Sequence, residues 1–322
     1  MKLPRKLLKH WHGLRKRREN RLYQEQWLLG FLPLPDGEHA GRALAGLAAS
    51  DFRLLEPPTG IFHADPFLVR QGDRVYCFYE ASPLHPVFGH IEVVVLDLQG
   101  QVIEAPRAAL RCNYHLSYPQ VFRHDGRWYM LPETSANNTI ELWVAESFPD
   151  RWTRHAVLVD GIAAADATLH QEDDRWWLLA AVRKDCRKFG DRLWAWHADS
   201  PLSTDWTPHA ANPVRSGILH DRPAGELFRH QGRLIRPVQD SVKRYGGAVE
   251  FREVTTLTPD AYAEHEVARL EFPRDSGYAG VHTINACPGM LVIDLLRLVP
   301  RAPVPSPAAD CRGSARASAD CP

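Results

Sequence analysis

HADPFLVRQGDRVYCFYE, residues 63–80, reads as an apolar strand, a turn at Gly72-Asp73 and a second apolar strand. An acid, Asp65, stands at its entrance. A bare carboxylate is costly to bury, so its place at the head of a buried hairpin calls for a partner or a function. The pattern recurs. ADPFLVRQGDRVYCFYE (64–80) lies without a gap over SYPQVFRHDGRWYMLPE (117–133), with Pro66 over Pro119, Arg74 over Arg127, Tyr76 over Tyr129 and Glu80 over Glu133. A third copy begins at Ala165 (ADATLHQEDDRWWLLAAVR) and sets Asp166 over Asp65. A fourth begins at Ala224 (AGELFRHQGRLIRPVQD), and a degraded fifth at Gly280 (GVHTINACPGMLVIDLLR).

Further strand-like runs follow in the same place within the units: IEVVVLDL, IELWVAESF, LWAWHAD and AVEFREVTTL. Four short strands per repeat at a period of about 50 residues are the mark of a β-propeller. Five repeats predict an all-β, five-bladed β-propeller over residues 25–299. It is preceded by a short basic helix or arm (1–24) and followed by a disordered tail (300–322) rich in Pro, Ala and Ser. EQWLLGFLPL, just inside the propeller, is placed to complete the last blade and close the ring. A sandwich also has many short strands, but it does not need five self-similar units. Trp176 and Trp177, adjacent in a strand, point to opposite faces.

Composition fits this reading. Hydrophobic residues make up 44% and charged residues 24% of 322, with ten tryptophans. Residues 1–18 hold eight Lys/Arg and no acid, leaving 31 basic against 39 acidic residues in the remainder. A body of that sign argues against nucleic acid as a partner. The arm, with Leu3, Leu7, Trp11 and Leu14 at helical spacing, can lie on an anionic membrane surface; the alternative is a solvated arm. No apolar stretch reaches the roughly 18 residues of a span, and no secretory signal is evident. Six cysteines without CxxC spacing read as reduced thiols in a cytoplasmic setting, peripheral to a membrane if the arm binds one.

In a propeller the first strand of each blade lines the central channel, so Asp65, Tyr118, Asp166, Glu226 and His282 are expected to converge. Three carboxylates on one pocket suit glycoside chemistry, in which one acid protonates the leaving oxygen and another attacks or activates water. A third would raise the first one's pKa. His63, Arg183 and Arg222 flank the acids, and an arginine there can bind an anionic ligand or neutralise a neighbouring acid. His115 and Tyr118 open the second repeat as ligand contacts or as residues satisfied by backbone. Glu80 and Glu133 end second strands, as structural hydrogen-bonding groups or sugar contacts. No metal-ligand spacing and no cofactor motif appears; His282 as a cation ligand lacks a visible carboxylate partner.

The ADP at 64–66, the lone Asp166 and the AGE at 224–226 resemble the five-bladed propeller glycosidases of families 43, 32 and 68. A closer resemblance, over roughly residues 25–299, is to the N-terminal propeller domain of glucosamine inositolphosphorylceramide transferases and to bacterial formyltransferase-associated domains. EQWLLG, HADPFL, LSYPQVF, GRWYMLPE and GVHTIN carry it. The glycosidase resemblance implies Asp65 as nucleophile or general base, Asp166 as transition-state stabiliser and Glu226 as general acid. Two departures stand against it: Glu226 falls two positions later in its repeat than Asp65, and GELF replaces the EGP common in family 43. The transferase resemblance implies that sugar transfer belongs to a separate C-terminal domain. The alternative to glycoside cleavage or transfer is therefore a glycan- or glycolipid-binding module that partners a sugar transferase or formyltransferase.

Overall fold

The computed structural model describes residues 22–35, 37–83, 88–183, 192–216 and 221–301. The expected basic helix and the tail lie almost wholly outside them. Two compact units are present. Gln26–Leu298 is a five-bladed propeller, each blade a four-stranded antiparallel sheet. Of the second unit, built from the termini, 22–25 and 299–301 are described, where the Arg301 N–H donates to the Leu22 carbonyl (2.9 Å). No helix among the described residues is long and apolar enough to cross a membrane.

Blade I comprises Ile61–Gln71, Arg74–Pro83, His90–Leu96 and Val102–Leu110; blade II, Ser117–His124, Arg127–Glu133, Thr139–Ser147 and Arg151–Asp160. Blade III comprises Ala164–Glu172, Arg175–Val182, Leu193–Ala198 and Thr207–Pro208; blade IV, Phe228–His230, Arg233–Asp240, Ala248–Leu257 and Tyr262–Leu270. Blade V joins the two ends of the chain: Ile284–Cys287 and Met290–Pro300 pair with Tyr23–Pro33 and Arg53–Leu55. The segment EQWLLGFLPL does close the ring.

Two-residue turns join the first two strands of every blade, closing on the pairs Gln71–Arg74, His124–Arg127, Glu172–Arg175, His230–Arg233 and Cys287–Met290. Positive φ at Asp125 and Gly126, and at Gln231 and Gly232, suits the turn type whose twist matches antiparallel strands. This shared turn makes the repeats superimposable in sequence.

Burial follows from the period-2 alternation of strands. In blade III, Trp177 and Leu179 pack toward blade IV, while Leu178 and Ala180 pack toward blade II, joined on that side by half-buried Trp176. In blade V, Met290 and Val292 face blade I, and Leu291 and Ile293 face blade IV. One apolar cluster fills each of the five junctions between neighbouring blades. The central strands are thus buried on both faces, and read as near-continuous apolar runs.

Candidate functional site

The polar triplets that open the repeats are β-bulges. Ala64 pairs with Glu80 and Phe67 with Phe78, so two residues face one; the same skip falls between Ser117 and Gln120, and between Ala165 and Thr168. Asp65, Tyr118 and Asp166 occupy this place with φ of 51°, 45° and 53°. Left-handed backbone costs a non-glycine residue roughly 1–2 kcal/mol, and a bulge re-aims the side chain it carries. Glu80, Glu133 and Gln239 hold a matching place, each six residues after the arginine that follows its hairpin turn (Arg74, Arg127, Arg233).

Three of these groups, Asp65, Glu80 and Glu133, line a cavity of about 580 Å³. Asp65, Glu80, Glu133, His115, Arg183, Arg222 and His282 all line it, and Trp27, Phe62 and Tyr245 give it an aromatic side. The Trp27 ring stacks on His282 with centroids 4.2 Å apart, and Tyr245 meets both rings edge-on. Arg222 lies over the Tyr245 ring at 5.6 Å.

Asp166 does not line the cavity but binds Arg222, which does. It is fully buried, receives both Nε and Nη2 of Arg222, and accepts Gln239 Nε2 at 2.9 Å. Arg222 Nη2 also reaches Glu133 Oε2 (3.4 Å), which in turn accepts the Asp166 N–H (3.3 Å). Burial pushes Asp166 up to about 7 against the opposing pull of Arg222. Its oxygens are committed to a guanidinium and an amide.

Asp65 is 3% exposed and accepts from Thr283 Oγ1 at 2.7 Å. His282 Nε2 lies 3.6 Å from it, and Asp294 Oδ2 lies 2.5 Å from His282 Nδ1. Burial lifts Asp65 to about 6; the charge of His282 opposes this, and those of Asp166 and Asp294 add to it. His282 is raised in turn: its burial acts against the charged form, but Asp294 and Asp65 outweigh it. Asp65, His282 and Asp294 place donor atoms within 4.8 Å of one another, a group that could hold a cation. Asp294 supplies the carboxylate partner not seen for His282 in the sequence. Its oxygens, however, already accept the N–H groups of Asp65 (3.0 Å), His282 and Thr283 (2.9 Å each). The trio fastens blade V to blade I.

Three expected site residues stand elsewhere. Tyr118 is fully buried in the channel, where its hydroxyl accepts the Gly225 N–H (2.7 Å) and shares a hydrogen bond with Thr168 Oγ1 (3.1 Å). His63 is 2% exposed against the Tyr79 ring, outside the cavity lining, and burial lowers it to about 4. Glu226 does not line the cavity. Gln239 N–H donates to the Arg222 carbonyl and Phe228 pairs with Ile235, so the five residues 223–227 that lead into the first strand of blade IV face three of the second. Counted from the turn, Glu226 stands level with Gln120, not with Asp65. There its Oε1 accepts from Gln120 Nε2 (3.1 Å), its N–H donates to Asn285 Oδ1 (2.8 Å), and Asn285 Nδ2 donates to the Pro66 carbonyl (2.7 Å). Burial raises Glu226 to about 7. Of the Asp65–Asp166–Glu226 set expected from the glycosidase resemblance, Asp65 lines this cavity and Asp166 and Glu226 do not.

Trp27, Tyr245 and Asp294 were not singled out from the sequence. An acid inside MLVIDLL was a visible sign that Asp294 must have a buried partner. Trp27 and Tyr245 come from segments outside the repeat pattern and carried no such sign.

The family model described as "Glucosamine inositolphosphorylceramide transferase 1, N-terminal" matches residues 55–280. The chain belongs to this family. It is 38% identical over 207 residues to Glucosamine inositolphosphorylceramide transferase 1 of Oryza sativa subsp. japonica, covering 63% of this chain and 27% of that protein. For the protein of the same name from Arabidopsis thaliana the identity is 32% over 212 residues, covering 64% and 27%. The chain thus spans about a quarter of the length of these relatives. Among solved structures it is similar to an alpha-L-arabinofuranosidase from Lactobacillus brevis (TM-score 0.55, 16% identity, 79% of this chain and 94% of that one). It is also similar to Zg3597, a family 117 glycoside hydrolase of Zobellia galactanivorans (TM-score 0.52, 12% identity, 84% and 90%). At such identities the likeness shows the propeller fold alone. The chain thus shares a family domain with the transferases and a propeller fold with the glycoside hydrolases.

Proposed function

We propose that the propeller is a saccharide-binding module, taking a glycan or the sugar head of a glycolipid, that acts beside a sugar transferase. The cavity carries this reading. Aromatic rings on one side and hydrogen-bonding groups around the rest are what a sugar needs, since its ring faces are apolar and its edges polar. Family membership supports the transferase connection. The placement of Glu226 and the commitment of Asp166 to Arg222 favour binding over glycoside cleavage by those residues.

A glycan-array screen with the whole chain tests this. Saturable binding is expected, and Tyr245→Ala, which removes a half-exposed ring, should weaken it about 5- to 10-fold, in line with the roughly 1 kcal/mol of an aromatic contact. Glu226→Gln should bind as the wild type does. Absence of any binding glycan, or saccharide hydrolysis abolished by Glu226→Gln, would overturn the reading.

A further inference from the structure

The carboxylates of the cavity are not equivalent. Glu80, 6% exposed, lies in the second strand of blade I and pairs with Ala64, beside the Asp65 bulge. Its neighbour across the wall is His115, in the segment before blade II. His115 Nδ1 accepts the Gly89 N–H at 3.0 Å, and its Nε2 lies 3.3 Å from Glu80 Oε1. A ring nitrogen that accepts from a backbone N–H carries no proton, so in the neutral imidazole the hydrogen is on Nε2, the nitrogen beside Glu80. The fit is tight: a Cβ on Gly89 would lie 2.6 Å from His115 Cε1 and 2.7 Å from Glu80 Oε1. Glu80 Oε1 is therefore held against His115 and Gly89, while the residue lines the cavity.

Charged groups reach Glu80 from four blades: Asp65 on its own blade, Glu133 on blade II, Asp166 on blade III and Arg222 at the start of blade IV. Burial first, then Asp65 and Glu133, hold its carboxyl well above the usual range, with Arg222 opposing and Asp166 adding. Burial also lowers His115, with Asp65 opposing and Arg222 adding, which keeps the ring neutral.

We propose that Glu80 determines specificity in this cavity: held by His115, it turns an O–H into the cavity and donates it to a ligand oxygen that has no hydrogen of its own. The ring oxygen, the linkage oxygen or an acyl carbonyl of a saccharide is such an acceptor; a carboxylate could not serve it. His115 acts through Glu80, as a positioning residue. This rests on the saccharide reading above, but the protonated state of Glu80 does not.

The first test needs no ligand. Infrared spectra of the whole chain across about pH 5–9, recorded in the Asp166→Asn/Glu226→Gln background to remove the two other acids that titrate near 7, should show a protonated-carboxyl C=O band that persists at pH 7.5, disappears when Glu80→Gln is added and survives when Asp65→Asn is added. Absence of that band, or its survival with Glu80→Gln, overturns the proposal. In the second test, affinity for the strongest-binding array glycan should fall as pH rises past the loss of the band, by at most tenfold per pH unit, the limit for one proton. Glu80→Gln, whose amide donates at every pH, should bind with a flat profile, and His115→Ala should shift the wild-type profile. A flat wild-type profile overturns the proposal. If no glycan binds, the saccharide reading falls, and the infrared band still decides the state of Glu80.

Discussion

Arg222 sits at the centre of the cavity's charge balance. It answers Asp166 and Glu133 together, and Asp166 is fully buried. Removing one partner of a buried pair leaves a bare charge, which costs about 3–5 kcal/mol. Arg222→Met should lose that much in urea denaturation, and adding Asp166→Asn should recover a large part of it. His63 gives a prediction of pH dependence. Its folded pKa of about 4 lies below the unfolded 6.5, so between these values the unfolded chain binds the proton and the folded chain does not. Stability from this group is present above about pH 6.5 and is lost as pH falls toward 4, up to about 3 kcal/mol. His63→Phe, which keeps a ring against Tyr79, should shrink the fall in Tm between pH 7 and pH 4.5. Of the residues named from the sequence, Asp65, Glu80, His115, Glu133, Arg183, Arg222 and His282 line the cavity. They were legible because the repeat alignment put them at strand ends that meet in a propeller. Asp166 was legible as a buried acid at the same place, while its pairing with a residue 56 positions away was not.

At the scale of the element, the deciding feature is the bulge at the head of each first strand. Three blades carry the two-against-one form with Asp, Tyr and Asp in left-handed backbone. Blade IV carries a longer irregularity with Gly225 at φ 140°. A Cβ at Gly225 would stand 1.9 Å from the Ile284 carbonyl oxygen. Gly225→Ala therefore meets both backbone strain and a clash with main chain that cannot move aside. A loss of at least about 3 kcal/mol is expected, measured as a drop in thermal midpoint, with Gly126→Ala, which meets nothing within 4 Å at its turn, losing less. Glu226 falls within this longer irregularity, four residues before its hairpin turn where Asp65 is six. Its two-residue offset was visible in the repeat alignment, but whether blade IV would absorb the offset depended on its pairing with Arg233–Asp240, which only the fold supplies.

For the whole molecule, stability lies in the junctions. Five apolar clusters bridge neighbouring blades, and two of them use the N-terminal strand: Leu28 packs toward blade IV, Leu29 and Phe31 toward blade I. Removing residues before 56 would open the ring and expose the inner faces of two junctions at once. Such a truncation is expected to show no cooperative unfolding transition in calorimetry. A single sharp transition in the truncated chain would mean that blades I–IV hold together without closure.

The repeat, the five blades and the closing strand were determined by the sequence itself, because a shared two-residue turn and a period-2 apolar pattern are local properties of the chain. The identity of most cavity acids followed from the same alignment. Which acid stands at which depth, which is paired, and which rings complete the wall were decided only by tertiary structure. Each depends on residues brought together across blades: Asp166 with Arg222, His282 with Asp294 and Trp27, Glu80 with His115. A buried charge is governed by its neighbours in space, and no local pattern in the chain records them.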